Sequence, residues 1–158
     1  MNHVGKISEK VVRQDIIQHL DFNGLWDSRQ HGSRAGRSTV SQLLCHYDTI
    51  LVAMEQGHNM DTIYLDFSKA FDKVDHSILL QKVKNVGICG NLGNWIGSFL
   101  LNRTQSVKVG NSVSDRIEIV SGVPQGSVLG PILFLLYIAN IGFRSNSKAS
   151  IYVDDSKV

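Results

Sequence analysis

The chain has 158 residues and a formal net charge of +2, so it is long enough for one domain and lacks a strong basic excess. Hydrophobic residues make up 42% and charged residues 19%, which excludes an intrinsically disordered chain. The cysteines, Cys45 and Cys89, form no CxxC pair and have no zinc-type spacing.

The first predicted element is a helix that Ser8 caps, with apolar residues recurring every four positions at Val12, Ile16 and Leu20. Residues 21–37 form a predicted loop with a basic cluster of Arg29, His31, Arg34 and Arg37, separated by glycines. Such a loop suits phosphate, because glycines let backbone N–H groups approach an anion. A solvated basic loop is the alternative reading.

A second helix is predicted from a cap at Ser38 or Thr39 to a stop at Gly57, with Cys45 on its apolar face, where a buried thiol is the default expectation. Residues 60–67 are rich in Ile, Tyr and Leu and predict a strand that ends on Asp66. Asp75 is an acceptable N-cap for a third helix, which stops at Gly87.

The remaining elements alternate between helix and strand. Residues 92–101 predict an apolar helix, and residues 105–109 and 116–120 predict a hairpin around residues 110–112. A turn at residues 124–126 leads into a buried helix to about residue 141 and then a final strand at residues 149–154. The fold class is therefore α+β, with helices on one face of an antiparallel sheet, and the last strand is expected to lack a return partner in this chain.

We expect neither a secretory signal nor a membrane-spanning helix in this chain. Its N-terminus has no apolar segment typical of a secretory signal. Its most apolar stretch, residues 128–143, is shorter than a bilayer requires and contains Gly130, Pro131 and Asn140. We therefore expect a core helix there and no membrane contact.

Carboxylates follow two strand-like runs. Asp66 ends one run and Asp154 ends the other, so neighbouring strands would bring them together. Adjacent residues of a strand face opposite ways, so Asp154 and Asp155 face the same site only if the chain turns there. One or two carboxylates with phosphate oxygens and water suit Mg²⁺. For any one of these aspartates alone, an ordinary role as a turn former is the alternative.

Several longer segments then point to a family. They are LDFSKAFD at residues 65–72, SGVPQGS at 121–127, YVDD at 152–155, QHGSRAGRST at 30–39, DHSILL at 75–80 and WIGSFLLNRTQ at 95–105. In this order and without large gaps, they resemble segments of reverse transcriptases from non-LTR (LINE-type) retrotransposons. The resemblance runs from about residue 9 to the C-terminus.

This resemblance implies an RNA-directed DNA polymerase that transfers a nucleotide from a dNTP to a primer 3′-OH with two Mg²⁺ ions, or Mn²⁺ in their place. By position, Asp66 and Asp154 would bind both metals, Asp155 would complete the carboxylate set, and the Phe67 carbonyl would contribute. These residues are the expected catalytic and metal-binding group.

The resemblance also implies a set of nucleotide and nucleic-acid contacts. Phe71 matches the steric gate that favours dNTP over rNTP, although a core phenylalanine is its alternative role. Gln125 would contact the incoming nucleotide, and Gly126 would permit close backbone approach. Arg34 and Arg37 would contact the template or a phosphate.

In terms of domains, residues 1–58 would be a fingers-like helical part and residues 59–158 a palm truncated at the YxDD hairpin. The remaining fingers, the thumb and the endonuclease of such enzymes are expected outside this chain. RNA template, primer strand and dNTP are the expected partners. Two other functions stay open: a decayed or domesticated remnant that binds RNA or protein without catalysis, and a group II intron maturase-like enzyme or viral RNA-directed RNA polymerase.

Overall fold

The computed structural model describes residues 3–139 and 150–157. Its helices are α1 (His3–Phe22), α2 (Thr39–Glu55), α3 (His76–Asn85), α4 (Gly90–Leu100) and α5 (Gly130–Ile138). The C-terminal end of the last predicted helix and the start of the last predicted strand fall within residues 140–149, which lie outside the described residues. Within the described part, none of the helices has the length and apolar character needed to cross a bilayer.

Within these described residues, seven short strands form three antiparallel sheets. They are β1 (Tyr64–Leu65), β2 (Thr104–Gln105), β3 (Lys108–Val109), β4 (Ser112–Val113), β5 (Ile117–Glu118), β6 (Ser150–Tyr152) and β7 (Asp155–Lys157). The predicted hairpin around residues 110–112 is confirmed: β3 pairs with β4, and β2 pairs with β5 further from the turn. Helices with small antiparallel sheets confirm the α+β class.

The chain divides into two compact units, each made of two separate stretches. The first unit joins Met1–Leu25 to Phe71–Tyr137, and the second joins Trp26–Ala70 to Ile138–Val158. The core of the first unit is a set of fully buried apolar side chains from four helices, including Ile16, Leu20, Leu79, Ile96, Leu133 and Phe134. Burial of each such side chain contributes on the order of 1.5–3 kcal/mol.

Helix starts follow local capping chemistry more than periodicity. Ser38 caps α2 in a reciprocal capping box with Ser41, and Asp75 caps α3 through the Ile78 N–H, as predicted. The prediction that Ser8 caps α1 is wrong, because α1 begins at His3 and the Ser8 hydroxyl donates to the Val4 carbonyl within the helix.

The apolar stripe of α2 is largely exposed, and this corrects the expectation for Cys45. Cys45 is exposed, as are Leu44, Tyr47 and Met54. Gln42 is buried instead, at 4% exposure. Periodicity predicts which residues share a face of a helix, but it does not determine whether another element covers that face.

The sheet of the second unit has the order β1-β7-β6. Strand β7 therefore returns from β6 and pairs on both sides, so the expectation of a final strand without a return partner is wrong. A two-residue turn at Val153 and Asp154 is enough to reverse the chain, and three residues then complete the ladder. The predicted strand at residues 60–67 is correspondingly short, because β7 offers partners only to Tyr64 and Leu65.

Candidate active site

Two aspartates lie beside the pairing of β1 and β7 in the second unit: Asp66 directly follows β1, and Asp155 is the first residue of β7. The last pair of this ladder is Leu65 with Ser156, which is one residue away from each aspartate along the chain. Both aspartates line a cleft of about 360 Å³ together with residues of α2. Asp154 sits in the tight turn that precedes β7, and the residues that line this cleft include Asp155 but not Asp154. A shared metal site for all three carboxylates stays a prediction.

Among the residues that the structure describes, Asp66, Asp154 and Asp155 form no ion pair with a basic side chain, whereas Arg29 pairs with Asp27 at 2.7 Å. The described residues also contain no preassembled cluster of three His, Cys, Asp or Glu side chains around one metal position. Asp66 and Asp155 nevertheless offer hard oxygen ligands on one cleft, which fits Mg²⁺ because this ion takes few protein ligands and keeps water or phosphate oxygens.

The turn that carries Asp154 has a strained backbone. Val153 adopts φ of 55°, a left-handed conformation that is unusual for a β-branched residue. The side chain of Gln30 holds this turn: its Oε1 accepts from the Val153 N–H at 2.9 Å, and its Nε2 donates to the Val153 carbonyl at 3.3 Å.

Gly32 allows the loop and the turn to approach closely. A Cβ at this position would lie 2.5 Å from Val153 Cγ2 and 2.7 Å from Val153 N. Sequence reasoning missed the roles of Gln30 and Gly32, although both lie in the QHG segment that resembles the family. The available signal was that segment, which was interpreted only as a phosphate-binding loop.

The basic loop uses its arginines for internal contacts. The Arg34 guanidinium lies 5.0 Å from the centre of the Trp26 ring and donates to the Asp27 carbonyl. Arg37 donates to the Ser28 carbonyl at 2.7 Å and to His31 Nε2 at 3.1 Å. Both arginines are partly exposed, so a contact with nucleic acid stays a prediction alongside this bracing role.

Phe71 and Gln125 belong to the first unit. The Phe71 ring is partly buried and stacks on Phe134, with centroids 4.4 Å apart. The Gln125 Nε2 donates to Asp72 Oδ1 at 2.8 Å, and both residues line a cleft of about 640 Å³. The structure therefore brings the predicted nucleotide-contacting glutamine next to the residue that follows the predicted gate.

Residues 121–123 are held firmly against this segment. The Gly122 carbonyl accepts from the buried His76 Nε2 at 2.8 Å and from the Arg103 guanidinium at 2.9 Å. Burial lowers the pKa of Arg103. Gly122 has φ of 87°, and a Cβ there would lie 2.9 Å from the Asp72 carbonyl oxygen. The turn that presents Gln125 thus depends on a glycine with no room for a side chain.

Two further predicted residues have simple surroundings. The Phe67 carbonyl accepts from the Ala70 N–H at 3.1 Å, which leaves one oxygen lone pair for another ligand. Gly126 has φ of 73° and no atom within 4 Å of its Cβ position, so its surface is open.

Comparisons with known proteins identify the family. A family model described as reverse transcriptase (RNA-dependent DNA polymerase) matches residues 1–158. The "Probable RNA-directed DNA polymerase from transposon X-element" of Drosophila melanogaster is 34% identical in an alignment of 157 residues that covers 96% of this chain and 17% of that protein.

Other relatives come from different mobile elements. The RNA-directed DNA polymerase from mobile element jockey of Drosophila melanogaster is 34% identical over 138 residues, covering 87% of this chain and 15% of its own length. A Pol polyprotein from type-1 retrotransposable element R2 of Popillia japonica is 30% identical over 106 residues, covering 67% of this chain and 17% of its own length. The chain thus spans about a sixth of these relatives, and it belongs to the reverse transcriptase family, in its non-LTR (LINE-type) branch.

Proposed function

We propose that the protein containing this chain is an RNA-directed DNA polymerase that joins a dNTP to the 3′-OH of a primer on an RNA template. The observation that carries the proposal is the placement of Asp66 and Asp155 beside the last pair of the β1–β7 ladder, where both line one cleft. Membership of the reverse transcriptase family over residues 1–158 supports the same assignment.

Asp66, Asp154 and Asp155, with the Phe67 carbonyl, would hold two Mg²⁺ or Mn²⁺ ions. Bound cations of this kind lower the pKa of an attacking hydroxyl and neutralise charge on the transferred phosphate and the leaving pyrophosphate. The carboxylates would fix the cation positions, and their lack of basic partners among the described residues leaves their charge available for this purpose.

Phe71 and Gln125 would act on the incoming nucleotide. An apolar ring offers no hydrogen-bond partner to a 2′-hydroxyl, which favours dNTP over rNTP. Stacking on Phe134 would keep the Phe71 ring in place. Asp72 fixes Gln125 Nε2, so Gln125 Oε1 is left to meet a donor on the nucleotide.

In this proposal residues 59–158 form palm and residues 1–58 form a fingers-like part. Arg34 and Arg37 are both partly exposed and would contact the template or a phosphate. The primer, the RNA template and the clamp around them would involve regions of the relatives that the chain does not span.

The test is primer extension by an extended chain, in which residues 1–158 replace the matching segment of the X-element relative. Asp66→Asn and Asp155→Asn are expected to reduce dNTP incorporation by about 10²-fold or more, because loss of cation stabilisation of the transition state costs several kcal/mol. Asp115→Asn, an exposed aspartate in the hairpin of the first unit, is the matched control and should keep full activity.

Activity that is unchanged in Asp66→Asn would contradict the catalytic assignment. Phe71→Ala should raise rNTP incorporation relative to dNTP. A parent enzyme that already prefers rNTP would favour an RNA-directed RNA polymerase instead.

A further inference from the structure

The turn that contains Asp154 and leads into Asp155 is held by a buried side chain from a distant part of the sequence. Gln30 is 4% exposed, and its amide uses both ends: Oε1 accepts from the Gly32 N–H at 2.7 Å and from the Val153 N–H at 2.9 Å, and Nε2 donates to the Val153 carbonyl. The reverse orientation would place the NH₂ group of the Gln30 amide against the N–H groups of Gly32 and Val153. The hydrogen bonds therefore determine which end of the amide is the oxygen and which is the nitrogen.

The same loop also extends the edge of the sheet. Gln30 forms a parallel bridge to Ile151, where the His31 N–H donates to the Ile151 carbonyl at 2.8 Å and the Ile151 N–H donates to the Arg29 carbonyl at 2.9 Å. Backbone hydrogen bonds therefore fix β6 up to Ile151. At the turn, where Val153 has no strand partner, the Gln30 side chain supplies the hydrogen bonds instead.

We propose that Gln30 is a positioning residue, which fixes the peptide groups on both sides of Val153 and thereby sets where Asp154 and Asp155 present their carboxylates. This inference rests on the proposed function, because it assigns Gln30 to the same carboxylate group. It is a positioning role and not a catalytic one, because the side chain of Gln30 bonds to backbone groups of Gly32 and Val153.

Two observations support a specific rather than a generic role. Val153 has φ of 55°, which a valine does not adopt without external constraint, and the only donor and acceptor of its backbone are both held by Gln30. The loop and the turn are in close contact at Gly32, so a residue with a side chain at this position would displace Val153.

The test compares Gln30→Met, Gln30→Glu and Gln14→Met in the extended chain. Methionine matches the length of glutamine without hydrogen bonds, glutamate keeps the two acceptor contacts but loses the donor, and Gln14 is an exposed residue of α1 that serves as the control. Each variant is measured for kcat, for KM of dNTP, for the Mg²⁺ concentration that gives half activity, and for amide hydrogen exchange of peptides covering residues 28–34 and 150–157.

Gln30→Met is expected to lower kcat and raise the Mg²⁺ requirement, each by about ten-fold or more, with KM for dNTP within about two-fold, as is typical when the support of a metal ligand is lost. Exchange should rise in both peptides. Gln30→Glu should lie between Gln30→Met and the parent, and Gln14→Met should match the parent.

The inference would be overturned if kcat of Gln30→Met fell only in proportion to the fraction of folded protein and the Mg²⁺ requirement stayed unchanged. Should Gln30→Met fail to fold, Gln30→Glu decides the same question through its Mg²⁺ requirement. Asp155→Asn separates the two levels: an active Asp155→Asn defeats the proposed function, whereas an inactive Asp155→Asn beside a Gln30→Met that equals the parent defeats only the role of Gln30.

Discussion

Gly122 and Gly126 show how differently two glycines of one turn are used. Both have positive φ, at 87° and 73°. A Cβ at Gly122 would lie about 3 Å from three backbone atoms of Phe71 and Asp72, whereas a Cβ at Gly126 would meet no atom within 4 Å. Gly122 is thus needed for conformation and for space, and Gly126 for conformation alone.

This difference predicts unequal costs of the same substitution. Gly122→Ala should lower the free energy of unfolding by about 3 kcal/mol, since overpacking adds to left-handed strain, and Gly126→Ala by about 1 kcal/mol from strain alone. Urea unfolding of both variants measures the two losses. Equal losses would show that the contact of Gly122 with Asp72 is not tight.

His31 is another residue whose surroundings fix its state. It is 7% exposed, its Nδ1 lies 3.2 Å from Ser41 Oγ, and Arg37 donates to its Nε2. Burial, with the nearby Arg37 and Arg34, lowers the pKa of His31 below its ordinary value of 6.5. The neutral ring is therefore the form that the folded loop accepts.

A pH dependence follows from the lowered pKa. The unfolded chain binds a proton on His31 near pH 6.5 and the folded chain only at lower pH, so stability should fall as pH drops from 6.5 to the folded pKa and then stop changing from this source. Urea midpoints at pH 7.5 and pH 5.5 test this. His31→Gln should reduce the dependence, and His58→Gln, at an exposed histidine, should leave it as in the parent.

At the scale of elements, the β6–β7 hairpin combines a strained tip with a central position in its sheet. Val153 is the only residue of the turn with positive φ, a backbone angle at which glycine is favoured. The chain carries valine there, so the tip contains strain that other contacts offset.

Replacement of Val153 by glycine should therefore not lower the free energy of unfolding, unlike most glycine substitutions. Val153→Gly is expected to leave the free energy of unfolding unchanged or to raise it by about 1 kcal/mol, because relief of left-handed strain offsets the added flexibility. Val109→Gly, in β3 with ordinary φ, should lower it by about 0.5–1 kcal/mol. A larger loss in Val153→Gly than in Val109→Gly would argue against strain at the tip.

Elements also show what sequence patterns determine. Capping residues and glycine stops located α2 and α3 closely, because these signals are local hydrogen bonds and backbone angles. The exposure of the α2 stripe and the return of β7 were not predictable in the same way. Both depend on which distant segment lies alongside, and periodicity carries no information on that.

At the scale of the molecule, the sequence indicated the family and the carboxylates, but not their support. Asp66 and Asp154 were located from strand ends and Asp155 from segment resemblance, and the metal-binding role of all three stays a prediction. The Gln30 contact joins residues 123 positions apart, and the Asp72 contact to Gln125 joins residues 53 positions apart. Such side-chain pairs leave no periodic pattern, so only the folded chain shows them.

The charge of the chain predicts weak duplex binding. Net charge is +2, and the arginines of the basic loop already bond to Asp27, Ser28 and His31. Residues 1–158 alone should bind an RNA–DNA primer duplex with Kd above about 1 μM at 0.15 M salt, in the range of non-specific binding. Fluorescence anisotropy measures this, and nanomolar binding by the chain alone would contradict the dependence on other regions of the polymerase.

The central strand of the β1-β7-β6 sheet is made last during synthesis. Tyr64 and Leu65 leave the ribosome long before the residues that pair with them, and β6 emerges before its inner neighbour. A nascent polypeptide that has not yet released β7 therefore exposes two unpaired strand edges. Cotranslational folding of this sheet must therefore wait for the final few residues described.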